Sequence, residues 1–381
     1  MIPEIDLSDL DVVRDPFTAY GEARERAPLA RIRTPGLGSM WVLTRHEGAR
    51  AMLSDPRFSL GAASYLRPEV PEDCLPYMRT MQEMDGPEHA RLRRAVAPAF
   101  TARRAEEFRP RIEAVVETLL GGLPGGTVDL VPSFARPLPI EVICELIGVP
   151  ALGRPRWREY GAIVAAGAGG EFAAAIPQIM AGAKAAVAHR RAEPGDDLLT
   201  DLIAGGALDE TELVTLVWHL VLAGQTPASL IANAVDTLLA HPDQLAALRA
   251  DPALMPGAVE ELARWCGPQL LSIPRYTREE VELYGTTIRP GEPVTAALAT
   301  ANRDPRVFAD PERFDVRRAP GGQLGFAHGP HFCLGAAPAR VQTEIALTAL
   351  LRRSPDLAPA GPARRALDPG TWRLESLPVE L

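Results

Sequence analysis

Phe326-Ala327-His328-Gly329-Pro330-His331-Phe332-Cys333-Leu334-Gly335 is the stretch on which the reading of this chain turns. One cysteine stands in a loop punctuated by glycine and proline. A helical pattern follows at once over 336–353, with apolar residues at Val341, Ile345, Leu347, Leu350 and Leu351 and with Arg352 and Arg353 in the closing turn. Pro338 falls in the first turn, where no N–H is missed. A cysteine just ahead of a helix start lies at the positive end of the helix dipole, near unpaired backbone N–H groups, and both favour its thiolate. Cys333 therefore reads as a soft metal ligand. A free cysteine is also a common core filler. His328, His331 and Cys333 together suggest zinc, but no fourth ligand stands at a familiar spacing.

The chain has 381 residues, 46% hydrophobic and 23% charged, which is enough apolar material for a sizeable core. No composition break or long linker divides it, so 1–381 reads as a single domain. A net charge of -9 argues against a nucleic-acid partner, because phosphate binding needs a positive field. Lys184 is the lone lysine among many arginines, and with abundant Ala, Gly and Pro this points to a GC-rich coding sequence. Cys74, Cys144, Cys266 and Cys333 form no paired pattern and the N-terminus has no signal-peptide pattern, so a reducing cytoplasm is expected. The longest apolar stretch, 213–224, is shorter than the ~20 residues of a membrane span, and no membrane partner is expected.

Helical periodicity predicts helices over 16–27, 46–54, 89–97, 102–119, 140–148, 156–166, 173–191, 198–204, 209–240, 243–251, 255–266 and 336–353. Strand patterns are short: 29–34, 40–43, 275–276, 281–283, 286–288 and 293–299. The expected fold class is mainly α with a small β region. The stretch 161–175 is the nearest to low complexity, and no internal repeat is present.

The order F-x-x-G-x-H-x-C-x-G over 326–335 resembles the haem-binding loop of the cytochrome P450 family. The resemblance implies that Cys333 ligates the iron of haem b, with a thiolate that pushes electron density toward bound oxygen. It places Phe326 beside the sulfur, gives Gly329 the tight turn, closes the motif at Gly335 and sends His331 to a haem propionate. A second feature, Glu261-Leu262-Ala263-Arg264, lies about seventy residues before Cys333. By itself a Glu/Arg pair three apart is a solvated helix pair worth ~0.5 kcal/mol. The family pattern implies instead a structural network of Glu261, Arg264 and, from Pro311-Glu312-Arg313-Phe314, Arg313, which fixes the cysteine loop. A third is Asp85-Gly86-Pro87-Glu88-His89, followed by Arg93, where His89 and Arg93 share a helix face and can grip one anion. Each cation taken singly could be a solvated surface charge. The resemblance implies that His89, Arg93, Arg275 and His331 meet the two propionates.

The central helix departs from the family pattern A-G-x-[D/E]-T, reading Ala223-Gly224-Gln225-Thr226-Pro227. With one residue missing between Gly224 and Leu230, Thr226 takes the threonine position and Gln225 the acid position. The other register puts Thr226 at the acid and Pro227 at the threonine. Either way the carboxylate is absent, which should slow or reroute proton delivery. Pro227 also removes an N–H and loosens the helix. Thr226 with ordered water positioned by Gln225 is the expected substitute, and a threonine that merely back-bonds in a kinked helix is the alternative.

The resemblance extends along the whole chain and implies the P450 fold, with haem between the long central helix and the cysteine-loop helix. Pocket regions map to 60–84, 157–176, 217–226, 269–273, 296–299 and 370–374, where Leu75, Tyr77, Met78, Leu222, Leu270, Leu271 and Trp372 give an apolar cast. The implied function is a haem-thiolate monooxygenase that inserts one O2-derived oxygen atom into a hydrophobic small molecule, a natural-product intermediate free or carrier-bound. No flavin or NAD fingerprint is present, so NAD(P)H electrons would arrive through a separate reductase and a ferredoxin. Arg91, Arg94, Arg103 and Arg104 offer a basic docking face, or equally a solvated patch. The alternatives are oxidative coupling, desaturation or peroxide-driven chemistry and, from another class, a non-catalytic haem sensor or carrier.

Overall fold

The computed structural model describes residues 2–34, 38–65, 68–166 and 169–381. The low-complexity stretch 161–175 and the expected pocket regions 60–84 and 157–176 lie partly outside the described residues. Ten helices position the site: α1 (Pro16–Arg26), α2 (Gly86–Val96), α3 (Arg109–Gly121), α4 (Pro137–Ile147), α5 (Arg154–Ala166), α6 (Gly169–Ala192), α7 (Glu210–Ala223), α8 (Pro227–Ala240), α9 (Met255–Cys266) and α10 (Ala336–Arg353). A six-stranded sheet packs beside them. Its strands are β1 (Glu4–Asp6), β2 (Leu29–Thr34), β3 (Gly38–Leu43), β4 (Phe58–Ser59), β5 (Arg275–Thr277) and β6 (Pro293–Ala296), in the spatial order β1-β2-β3-β6-β5-β4.

The expected helix 209–240 is two helices. Its start is strong: Asp209 accepts from the Glu212 N–H at 2.8 Å and Glu212 accepts from the Asp209 N–H at 3.1 Å, a reciprocal capping box. Its middle fails at Pro227, which has no N–H for the Ala223 carbonyl four residues back. The Thr226 hydroxyl donates to that carbonyl instead, at 3.0 Å. The chain then restarts through three-residue bonds, from the Ala228 N–H to Gln225 O at 3.0 Å and from the Ser229 N–H to Thr226 O at 3.1 Å. The pattern over 102–119 is likewise divided, at Phe108. The strand expected over 293–299 ends at Ala296, and a short helical turn, Leu298–Ala301, follows.

The break between α7 and α8 coincides with a change of core. Leu213, Val214, Val217 and Val221 of α7 pack with α4, α6 and the segment holding Met78, Met81 and Met84. Ile231, Ala234, Val235 and Leu238 of α8 pack with α3, α9 and α10. By length and composition the 31 residues 210–240 could cross a bilayer, which the sequence reading missed, yet 61% of the most apolar window is buried inside the protein. Between the two cores runs the cavity that holds the candidate site.

Candidate active site

Cys333 stands just ahead of α10, its backbone N–H donating to the Phe326 carbonyl at 2.8 Å and so closing the loop on itself. The thiol faces the cavity. Burial pushes it above the usual thiol range, opposed by the Gly335 N–H and by the positive charges of Arg93 and Arg340. The backbone N–H at the helix start favours the thiolate, as expected from the sequence, and burial outweighs it. A coordinated metal ion would reverse that balance, since a ligating thiol is deprotonated outright. Gly329 adopts φ +76°, and a Cβ there would come within 2.6 Å of the Leu53 carbonyl oxygen. Ala327 holds φ +60°, a left-handed backbone more usual for glycine.

Two polar arms tie this loop to α9. In the first, Glu261 and Arg264 are nearly fully buried and joined by two bonds, Nε to Oε2 at 2.6 Å and Nη2 to Oε1 at 2.8 Å. Arg264 also donates to the Asn302 carbonyl at 2.9 Å, and the Asn302 side chain accepts from the Leu324 N–H at 2.6 Å, two residues before Phe326. The guanidinium expected from Arg313 comes from Arg318, 3.0 Å from Glu261. The side chain of Arg313 is 66% exposed, and only its carbonyl accepts from Arg264, at 3.3 Å. In the second arm Glu260 pairs with Arg340, whose guanidinium lies 4.5 Å from the centre of the Phe326 ring. The sequence reading passed over Glu260 and Arg340. Their signal was a second carboxylate beside Glu261 and an arginine inside the helix that follows the cysteine.

The expected anion-binding cations all line the cavity. His89 of α2 stacks on His331 with ring centres 4.1 Å apart. Burial first, then the charges of His331 and Arg93, hold its pKa down to about 4. His331 Nε2 lies 2.8 Å from Asp85 Oδ1, so one of its nitrogens is already engaged. Burial alone would raise the Asp85 carboxyl, but His331, the Leu60 N–H and Arg278 bring it below its ordinary value. Arg93 donates to the Phe332 carbonyl. Arg275 in β5 is 5% exposed and makes no side-chain hydrogen bond or ion pair among the described residues. Burial lowers its pKa. A buried guanidinium without a partner is costly, and a carboxylate entering beside it would relieve that cost.

Across the cavity stands the break in the central helix. Ala223 and Thr226 are exposed there, while Gly224 packs so closely on α4 that a Cβ would meet Ile143 at 2.5 Å. Gln225 turns away: its Oε1 lies 2.7 Å from where a Cβ on Gly161 of α5 would stand, and it does not line the cavity. The expectation that Gln225 positions water beside Thr226 is therefore corrected. Met78, Leu222 and Leu271 line the cavity as expected. Leu75, Tyr77, Leu270 and Trp372 do not. Leu75 is 57% exposed, Tyr77 lies under the Lys184 ammonium, Leu270 is core, and Trp372 packs against Phe17 and Arg365. Arg91, Arg103 and Arg104, expected as a basic face with Arg94, are already paired with Glu212 or Glu107.

The cavity measures about 690 Å³, within the range of cofactor and ligand sites. A thiol on one wall, two arginines and two histidines gathered beside it, one arginine unpartnered among the described residues, and an opened helix on the opposite wall fit a dianionic, metal-bearing group. The cytochrome P450 family model matches residues 184–354. The chain is 41% identical to cytochrome P450 monooxygenase PikC of Streptomyces venezuelae, covering 93% of this chain and 88% of that protein. This chain belongs to the cytochrome P450 family. As a P450 it is a monooxygenase-type oxidoreductase with a haem cofactor. Among solved structures, P450BioI in complex with hexadec-9Z-enoic acid ligated acyl carrier protein is 33% identical with TM-score 0.88, covering 97% of this chain and 99% of that one. CxnD, a P450 for C-S bond formation in chuangxinmycin biosynthesis, is 34% identical with TM-score 0.87, covering 96% and 94%.

Proposed function

We propose that this P450 acts as one cytoplasmic domain on a hydrophobic natural-product intermediate, free or carrier-bound, with NAD(P)H electrons delivered through a ferredoxin reductase and a ferredoxin. The observation that carries this reading is the apolar cavity bounded by Cys333 on one wall and by the opened turn at Gly224–Thr226 on the other. When bound, the haem supplies the activation of dioxygen. Cys333 would hold its iron, and His89, Arg93, Arg275 and His331 its two carboxylates. Asp85 orients His331, and Phe326, Gly329 and Gly335 shape the loop. Thr226 spends its hydroxyl hydrogen on the Ala223 carbonyl, which leaves its oxygen lone pairs to accept from a water in the cavity. With Gln225 turned toward Gly161, proton supply falls to solvent water that the Thr226 oxygen holds.

The chuangxinmycin biosynthesis in which CxnD acts supports the substrate class, and the acyl carrier protein held by P450BioI supports a carrier-bound form. The test is a Soret titration of the purified ferric protein against macrolide, terpenoid, aromatic polyketide and cyclic-peptide compounds. A saturable high-spin shift with one class names it, and a thiolate spectrum that none of them moves sends the search to carrier-bound substrates. Absence of a thiolate spectrum sinks the assignment of Cys333. A second reading, oxidative bond formation without oxygen insertion, draws on the missing acid and on the resemblance to CxnD. Product formed under 18O2 decides between them: label in the product supports insertion, and unlabelled product supports coupling or desaturation.

A further inference from the structure

The two halves of the central helix treat their buried polar side chains differently. On α7, His219 is 7% exposed and neither ring nitrogen has a hydrogen-bond partner among the described residues. On α8, Asn233 is 0% exposed, and both ends of its amide are engaged. Its Nδ2 donates to the Cys266 carbonyl at 3.0 Å and to the Trp372 carbonyl at 2.7 Å, and its Oδ1 accepts from Arg365 at 3.3 Å. The Cys266 carbonyl is one of those that the end of α9 leaves without a helical partner. Arg365 in turn donates to Asp236 of α8 at 2.6 Å and lies 4.0 Å from the centre of the Trp372 ring. Both carbonyls held by Asn233 support one cavity wall. Six of the seven residues of 267–273 line the cavity, so a shift of this segment reshapes it. The segment leaves α9 at a sharp turn, where a Cβ on Gly267 would come within 2.4 Å of the Ala263 carbonyl oxygen. Its far end is tied to β6, with the Ser272 N–H donating to the Ala296 carbonyl at 2.8 Å. Its near end is tied to 370–372: the Trp372 N–H donates to the Pro268 carbonyl at 2.7 Å, and the Leu270 N–H to the Gly370 carbonyl at 3.1 Å.

Thr226, Leu230 and Asn233 share one helix face, and the first two line the cavity. Asn233 is the next position on that face, roughly 10 Å of helix rise beyond Thr226, where the face passes behind the wall. One buried amide therefore joins the helix that begins at the break to the wall across from it. The orientation of a molecule lying between the two depends on their spacing. We propose that Asn233 is a positioning residue: with Arg365 it holds the wall 267–273 at a fixed distance from Thr226, and so sets which part of the substrate faces the reacting centre. It acts through the wall and touches no substrate itself. This rests on the reading of the cavity as a hydrophobic-substrate site.

Haem-loaded full chains of the wild type, Asn233→Leu and Arg365→Met are compared in two measurements. One is backbone hydrogen exchange at Leu270 and Trp372. The other is Soret titration with imidazole, which needs only the iron, and with 4-phenylimidazole, whose phenyl ring also needs the cavity. The wild type prefers 4-phenylimidazole. Asn233→Leu keeps its imidazole affinity, speeds exchange at both amides about tenfold and lowers the preference about tenfold, the worth of one hydrogen bond. Exchange within α9 stays as it was. Arg365→Met, cut at the partly exposed edge of the network, moves both readouts in the same direction by about threefold. In a folded Asn233→Leu, an unchanged preference or unchanged exchange at the two amides overturns the proposal, whatever the urea midpoint does, while the substrate-site reading stands. A wild type that takes imidazole with no preference for 4-phenylimidazole overturns that reading and the proposal with it. If Asn233→Leu does not fold, Arg365→Met decides alone by the same two readouts.

Discussion

The cysteine loop and the break in the central helix face each other across one cavity and are held in opposite ways. The loop is fixed from outside itself: Glu261 and Arg264 reach it through Asn302 and Leu324, and Glu260 reaches it through Arg340 and Phe326. The break is made locally, by a proline without an N–H and a threonine hydroxyl that takes the carbonyl left over. One wall must keep a reactive sulfur in place, and the other must open toward water and substrate. Buried charge networks suit the first task, because a displaced member leaves an unpaired charge. A helix interrupted between two separate cores suits the second.

The largest expected effect tests the loop's purpose. Cys333→Ser should abolish the thiolate signature in the reduced, CO-bound spectrum and drop turnover to background; a retained signature would mean that another residue holds the iron. Next comes the network that supports it. Arg264→Leu leaves the buried Glu261 with the Arg318 guanidinium and the Asp315 N–H but without its two-bond partner, at a cost of about 3–5 kcal/mol. The urea midpoint and the haem content should fall together, and a loss of stability with full haem content would break the link drawn between network and loop.

The third prediction concerns the opposite wall. His219 titrates at about 4 in the fold, against 6.5 as its ordinary value. Between those values the unfolded chain binds the extra proton, so stability is complete above pH 6.5 and declines as the pH falls toward 4, by about 3 kcal/mol at most. Unfolding midpoints of the wild type should show that slope, and His219→Phe should flatten it by one proton. The smallest effect is that of Pro227→Ala. The restored N–H gains about 1 kcal/mol of hydrogen bonding and forfeits a similar entropic benefit of proline. Stability should shift by under about 1 kcal/mol, while product formed per electron pair changes because the Thr226 hydroxyl is released from Ala223.

Much of the site was legible because its members are close in sequence or share a helix face. Phe326 to Gly335 form one loop, His89 and Arg93 are one turn apart, and Glu261 and Arg264 are three apart. Residues brought together by packing were misjudged. Arg318 replaced Arg313 because five residues along an irregular loop decide which guanidinium points inward, and no periodicity governs that. Gln225 was expected beside Thr226, yet at an interrupted turn adjacent side chains diverge. Trp372, Leu270 and Tyr77 looked like pocket residues on apolar character alone, which cannot tell a cavity wall from ordinary core.

The sequence by itself determined the family, the cysteine, the mainly helical class and the loss of the acid in the central helix, since each is written in local spacing and residue chemistry. Only the tertiary structure decided where 209–240 divides into two cores, which arginine completes the buried pair, and that His219 lies buried without a partner. Those outcomes depend on which surfaces remain uncovered once distant segments have packed, and burial of a polar group has no local signature.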